Sequence, residues 1–402
     1  MTRDHYKLFS KARIGPLALP NRLVRSATWD PSILGPRRMS EEVLAVYRRV
    51  AEGGTGLIIT GDVSVVAPGL LDESEPDVTA DTFQQVKIVG YDRLVEVVRR
   101  AAPRARIVAQ LSADYPGVAP SAIPSPWSHE RDRPLTTAQV RAIAACLAEA
   151  IAARQAEGFD GVQFHAAHGG LLSRFLSPYS NRRRDEYGGS ARNRVRIIRE
   201  AVDQARQLVG DFPILIKMNG TDYVEGGIDL GNLPELAREI QRAGVDAIEI
   251  SGGMWECLFQ SEKVLGFRPV PAPESHTRIR WPEKQSYFLP YAERLDLEIP
   301  VILVGGNRDV ERLEAILGGG KVDFISLCRP LIREPDLPER WREGRGDSAA
   351  ACISCNSCLY DMYTSLDRGQ PGIVTCLATD DPGRVGEAQR WLNSFVKDHV
   401  AV

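Results

Sequence analysis

The stretch Gly161-Val162-Gln163-Phe164-His165-Ala166-Ala167-His168-Gly169-Gly170 decides how this chain is read. A short β-branched and aromatic run gives way to glycine, and two imidazoles three residues apart sit at the transition. Such strand ends are where α/β proteins place reactive groups. The chain has only six histidines, so a pair in so short a span reads as functional. The alternative is one imidazole hydrogen-bonded in the core and the other solvated.

Aliphatic runs of the same kind recur on both sides of it. They are Leu23-Val24-Arg25-Ser26, Gly56-Leu57-Ile58-Ile59, Arg106-Ile107-Val108-Ala109, Pro213-Ile214-Leu215-Ile216, Ala247-Ile248-Glu249-Ile250, Val301-Ile302-Leu303-Val304 and Asp323-Phe324-Ile325-Ser326. With Gly161–Phe164 they make eight. Their near-continuous apolar character suits strands buried on both faces, and helical patterns between them imply a parallel sheet. After Thr136-Thr137, residues Val140, Ile143, Leu147 and Ile151 fall on one helical face, with a threonine as N-cap. A second helix is expected from Ser190 through Val195, Ile198 and Val202.

The fold class is therefore α/β, a (β/α)8 TIM barrel over residues 1–345 with a short Cys-rich extension over 346–402. A doubly wound open sheet is the runner-up, but no Gly-x-Gly-x-x-Gly follows any strand. Residues 253–283 show little periodicity and read as a long loop over the barrel mouth, either a substrate lid or a structural excursion.

Composition excludes other classes. Fifty basic and 53 acidic residues give a net charge of −3, which offers no footprint for nucleic acid or an anionic membrane. The one basic cluster, Arg182-Arg183-Arg184, is expected to be held by Asp185 and Glu186. No signal-peptide or membrane-length apolar run is seen. Seven cysteines, four of them near the C-terminus, suit a reducing compartment, so a cytoplasmic protein is expected.

Several strand ends carry chemistry of their own. Gln110 offers both a donor and an acceptor. Lys217, within Ile214-Leu215-Ile216-Lys217-Met218, would be a costly buried charge unless it faced an anion. Gly305-Gly306 after the seventh strand and Cys328-Arg329 after the eighth stand where this fold binds phosphate. A strand-to-helix turn and a rim salt bridge are the plain alternatives.

From the His pair the chain continues through Phe175-Leu176-Ser177-Pro178 to Asn181-Arg182-Arg183-Arg184-Asp185-Glu186-Tyr187-Gly188-Gly189. This ordered match, from about Leu8 to Arg345, resembles the old yellow enzyme family of NADH:flavin oxidoreductases. The branch it resembles carries His-x-x-His, like the barrel domain of 2,4-dienoyl-CoA reductase. The resemblance implies bound FMN, NADH or NADPH as reductant, and hydride transfer through flavin N5 to an α,β-unsaturated carbonyl. His165 and His168 would bind the carbonyl oxygen. Ala27 and Thr28 would lie along the flavin, with Gly61 and Asp62 at the second strand end. Gln110 would meet the pyrimidine edge, Lys217 would sit beside N1 and O2, and Gly305, Gly306, Cys328 and Arg329 would hold the phosphate.

Two positions depart from the family. Trp29 stands where many relatives carry Thr or Cys, and Gly170 stands where relatives commonly carry a proton-donating Tyr. Tyr115, Tyr223 or water are the replacements considered for that proton. A flavin-dependent demethylase or dehydrogenase passing electrons to a partner, or a non-catalytic flavin-binding module, are the alternative functions. The partner expected is a small-molecule substrate, and homo-oligomeric assembly is compatible with this reading.

Cys352-Ile353-Ser354-Cys355-Asn356-Ser357-Cys358 and the distant Cys376 have spacing that suits a [4Fe–4S] cluster, a structural zinc, or metal-free thiols. The segment resembles the one following the barrel in dienoyl-CoA reductase and trimethylamine dehydrogenase relatives, where the later cysteines are spaced differently.

Overall fold

All eight aliphatic runs form strands: β1 (Leu23–Arg25), β2 (Leu57–Ser64), β3 (Arg106–Ser112), β4 (Gly161–Ala166), β5 (Ile214–Asn219), β6 (Ala247–Ser251), β7 (Val301–Leu303) and β8 (Phe324–Leu327). They pair in parallel in chain order, and β8 returns to β1. Closure makes this the (β/α)8 barrel and excludes the open sheet. Around it lie α1 (Glu41–Glu52), α2 (Tyr91–Ala101), α3 (Thr137–Ala156), α4 (Leu171–Leu176), α5 (Arg196–Val209), α6 (Leu233–Arg242), α7 (Val310–Gly318) and α8 (Arg329–Arg333). The computed structural model describes the chain except residues 1, 29–38, 66, 68–69, 71–89, 116, 125–130, 269–271, 278, 280, 361–363, 365–373 and 400–402. Trp29 therefore lies outside the described residues.

Local sequence accounts for the helix boundaries. Thr136 caps α3 by accepting from the Gln139 N–H, while the Gln139 side chain accepts from the Thr136 N–H. That reciprocal box is worth about 1 kcal/mol. Val140, Ile143, Leu147 and Ile151 all face the barrel, buried. Ser190 caps a helix as expected: Ala191–Arg194 and α5 follow one another, separated by Val195 alone, which keeps a right-handed helical backbone.

Among the described residues the barrel carries two large apolar cores, and two small clusters lie in the C-terminal extension. One large core fills the space between strands and helices. The other lies inside the barrel, where Ile14, Leu17 and Leu19 pack on Val24, Leu57, Val108, Leu215, Ile302 and Phe324. The first three come from a hairpin of Ala12–Ile14 and Leu17–Leu19, which plugs the N-terminal end of the barrel. Ligands are left the C-terminal end.

The arginine run is held differently from expectation. Arg183 takes both carboxylate oxygens of Asp185, but Glu186 pairs with Arg141 on α3, and Arg182 lies over the Tyr179 ring. Among the described residues, no helix is long and apolar enough to cross a membrane. The C-terminal extension is laid on the rim beyond β7: Val310 donates to the Ser348 carbonyl and Ala350 to the Arg308 carbonyl.

Candidate active site

Side chains two residues apart on a strand share a face, and this period builds the floor of the site. Val24, Val108, Leu215, Ala247 and Phe324 belong to the inner plug. Two residues further on stand Ser26, Gln110, Lys217, Glu249 and Ser326, all buried. The change from apolar to polar happens at one level around the barrel.

Glu249, fully buried, organises that level. Its Oε1 accepts from Ser26 at 2.9 Å and Ser326 at 2.7 Å. Its Oε2 accepts from Gln163 at 2.9 Å, and Gln163 accepts from Gln110 at 2.7 Å. The Lys217 ammonium donates to Ser26 and lies 3.8 Å from Glu249 Oε1. Lys217 thus has the buried anion its setting requires, and that anion belongs to the protein. Sequence reasoning missed Glu249 and Gln163; the apolar-to-polar step within each strand is the signal that finds them.

Above this floor opens a cavity of about 1060 Å³, at the upper end of the range for small-molecule sites. Ala27, Thr28, Asp62, Gln110, Tyr115 and Lys217 line it, with His165 and His168, and with Gly305, Gly306, Cys328 and Arg329 on the opposite side. The fold brings together most of the residues singled out from sequence.

The His pair is held by backbone geometry. His168 adopts a left-handed conformation, φ 62°, uncommon for a side-chain-bearing residue and concentrated at functional sites. Its N–H donates to Asn219 Oδ1 at 3.1 Å, and its Nε2 lies 2.7 Å from Ser251 Oγ. Arg174 on α4 braces the turn by donating to the Gly169 carbonyl and pairing with Asp132 and Glu256. The two rings meet edge to face with centroids 5.1 Å apart. Nδ1 of His165 is buried with no hydrogen-bond partner among the described residues. Burial, then the Lys217 charge, pushes His165 down to about 3. Burial, His165 and Lys217 hold His168 well below the ordinary range. Both imidazoles are neutral near pH 7, so each ring has one N–H to donate.

On the β7–β8 side, Gly305 and Gly306 both have positive φ. A Cβ on Gly305 would stand 2.5 Å from Phe288 Cδ2, and one on Gly306 2.8 Å from Tyr287 Cδ1. Only glycine fits between these rings and the cavity. Arg329 donates to the His276 carbonyl and to Asn356. Arg308, unremarked in the sequence, also lines the cavity and donates to Ser354. His276 stacks between Phe267 and Tyr287, at 3.5 and 3.8 Å. That stack fastens the segment after β6, whose Trp255, Ala272, Glu274 and Ile279 form cavity wall.

Three of the expected positions sit differently from the rest. Gly61 does not line the cavity, because the β2–β3 register shifts between Ile59 and Asp62 and the Gly61 N–H turns to the Tyr47 hydroxyl. Tyr223 is also off the cavity wall, its ring packed on Phe267 and near His276. Tyr115 reaches the wall, but its hydroxyl donates to the Val65 carbonyl and accepts from the Ala67 N–H, both at 2.9 Å.

Cys352, Cys355, Cys358 and Cys376 gather round one small cavity beside Arg329. None is in a disulfide. Ligand number and softness fit a cluster or zinc, but among the described residues no three groups are close enough together to hold one ion. The thiols share a cavity without forming a coordination sphere.

With this geometry established, comparison with known proteins is informative. The sequence profile of the NADH:flavin oxidoreductase / NADH oxidase family matches residues 7–348. A metal reductase of Desulforamulus reducens is 32% identical over 94% of this chain and 54% of its own length. A cinnamate reductase of Clostridium sporogenes is 30% identical over 88% of this chain and 55% of its own. The chain thus spans about half the length of these relatives. A 2-naphthoyl-CoA reductase complex shares the fold with a TM-score of 0.75 at 23% identity, over 95% of this chain and 58% of that one. From the family match and the relatives together, the chain belongs to the NADH:flavin oxidoreductase / NADH oxidase family.

Proposed function

We propose that the chain binds FMN and uses NADH or NADPH to reduce a carbon–carbon double bond conjugated to a carbonyl. The observation that carries this reading is the neutral pair His165 and His168, with the unpartnered His165 nitrogen, beside a cavity floored by Lys217 and Gln110. FMN, when bound, supplies the hydride chemistry.

The residues present fit that cofactor. Gln110 has its amide nitrogen committed to Gln163, which leaves its oxygen to accept from a ring N–H. Lys217 would stand against negative charge on the pyrimidine edge, and Ala27 and Thr28 present small groups to a flat ring. Gly305, Gly306 and Arg329 would take the phosphate through bare amides and a guanidinium. Cys328, 3.4 Å from the Thr28 hydroxyl, and Asp62 complete the walls. His165 and His168 would donate to the substrate carbonyl oxygen, stabilising the enolate as hydride arrives.

The barrel of residues 1–345 and the extension of 346–402 would act as one unit, since Ser354, Cys358 and Leu359 line the same cavity as the His pair. The free cysteines support a reducing, cytoplasmic setting. A second reading, dehydrogenation with electrons passed to a partner, has the four-thiol cavity in its favour.

Anaerobic mixing tests the proposal. The purified protein should be yellow, release FMN on denaturation, bleach with NADH or NADPH, and regain colour on adding 2-cyclohexenone. A colourless protein that takes up no FMN would overturn it.

A further inference from the structure

Saturating an alkene needs a proton as well as a hydride, and the groups already described do not supply one. His165 and His168 are neutral, and a neutral imidazole N–H is far too weak an acid. The Tyr115 hydroxyl is closed between two backbone groups, and Tyr223 is off the cavity wall.

Asp114 is placed differently. It follows β3 and lines the cavity together with His168, Gly169 and Gly170. Its Oδ1 accepts the Leu171 N–H at 2.6 Å, and no partner of its Oδ2 is found among the described residues. A Cβ on Gly170 would lie 2.7 Å from Asp114 Oδ1 and 3.0 Å from Oδ2. The Asp114 carboxyl therefore occupies the space that any side chain at position 170 would fill, immediately beside the His turn. Asp62 on β2 is also a half-buried cavity carboxyl, but its Oδ2 accepts from Ser112, and it stands opposite Gln110 of β3.

Resting on the alkene-reductase reading, we propose that Asp114 is the catalytic acid that protonates the substrate α-carbon. The carbon–carbon π bond breaks as hydride reaches the β-carbon and the Asp114 proton reaches the α-carbon. Two C–H bonds form, electrons come from the nicotinamide, and the Asp114 carboxylate is reprotonated from solvent. Burial raises Asp114 to about 6, the Leu171 N–H opposes this and Asp62 adds to it, so the carboxyl is protonated below about pH 6 and a minor fraction of it still carries the proton at pH 7. Among the described residues, the charged and titratable groups around it are Asp62 on β2, the adjoining Tyr115, Arg174 on α4 with its partners Asp132 and Glu256, and the two imidazoles after β4.

The test uses the FMN-loaded protein, 2-cyclohexenone and the isosteric Asp114→Asn, which keeps an acceptor for Leu171. Nicotinamide bleaching needs no proton from Asp114 and serves as the internal control. Reoxidation by cyclohexenone should slow by about 10²-fold or more, lose its decline above about pH 6, and recover in part in Asp114→Glu. Infrared difference spectra should show a protonated-carboxyl band that titrates near pH 6 and is missing in Asp114→Asn. Reoxidation of Asp114→Asn at the wild-type rate, or the same band persisting in that variant, would overturn the assignment while leaving the activity intact. Wild-type protein that bleaches but is not reoxidised would overturn the alkene-reductase reading, and the acid assignment with it.

Discussion

The Lys217 ammonium lies 3.8 Å from the Glu249 carboxylate, with the two side chains 6% and 0% exposed. Neighbouring strands β5 and β6 place these residues directly opposite each other. Removing one member leaves the other charged and buried, at about 3–5 kcal/mol. Glu249→Gln and Lys217→Met should each lower stability by that order in urea unfolding. The double variant should cost well below the sum. Simple additivity would show that the two charges do not sense each other.

Since Glu249 offsets the Lys217 charge, Glu249→Gln should also raise the potential of bound FMN, and Lys217→Met should lower it. Spectroelectrochemical titration reads both. Equal potentials in the two variants would remove Lys217 from the cofactor's surroundings.

The paired imidazoles lead to a kinetic prediction. His165→Ala and His168→Ala should retain FMN but slow reoxidation by an enone about 10²-fold, the usual loss for an oxyanion donor. Ser251→Ala, which frees His168 Nε2, should have a smaller effect in the same direction. Unchanged turnover in both His variants would show that the acceptor binds elsewhere.

Acid sensitivity follows from the same burial. His165 and His276 are held down to about 3, and His168 is also depressed, against about 6.5 when unfolded. Above 6.5 neither state is protonated and these groups contribute no pH dependence. Between 6.5 and about 3 the unfolded chain takes up protons that the folded chain refuses. Stability should then fall by about 1.4 kcal/mol per pH unit for each such imidazole. Urea midpoints measured from pH 7 to pH 4 check this, and His276→Phe should flatten the decline.

The four C-terminal thiols give a metal prediction. Metal analysis after anaerobic purification decides between cluster, zinc and free thiols: about four irons per chain, lost in Cys355→Ser, would establish a cluster. Neither iron nor zinc would mean that the thiols stay apart, as they are arranged here.

Eight apolar runs separated by helical patterns specified the barrel, because strands buried on both faces leave a signal in local composition. Thr136 and the Val140, Ile143, Leu147 face fixed α3 for the same reason: caps and helical faces are local. His165, His168, Gln110 and Lys217 were legible because polar residues ending apolar strands are conspicuous. Glu249 and Gln163 were equally present in the sequence, but their importance depends on which strands become neighbours. Gly61 and Tyr223 stand off the cavity wall beside a register shift and a left-handed turn, and neither feature is written in residue type. Asp114 became significant only when β3 and the Gly169-Gly170 turn were brought together in space. Sequence determined the strands, helices and the chemistry available at their ends, since those depend on neighbours along the chain. Tertiary structure decided which charges are paired, which hydroxyls are already engaged and which carboxyl faces the cavity, because hydrogen bonding and desolvation depend on neighbours in space.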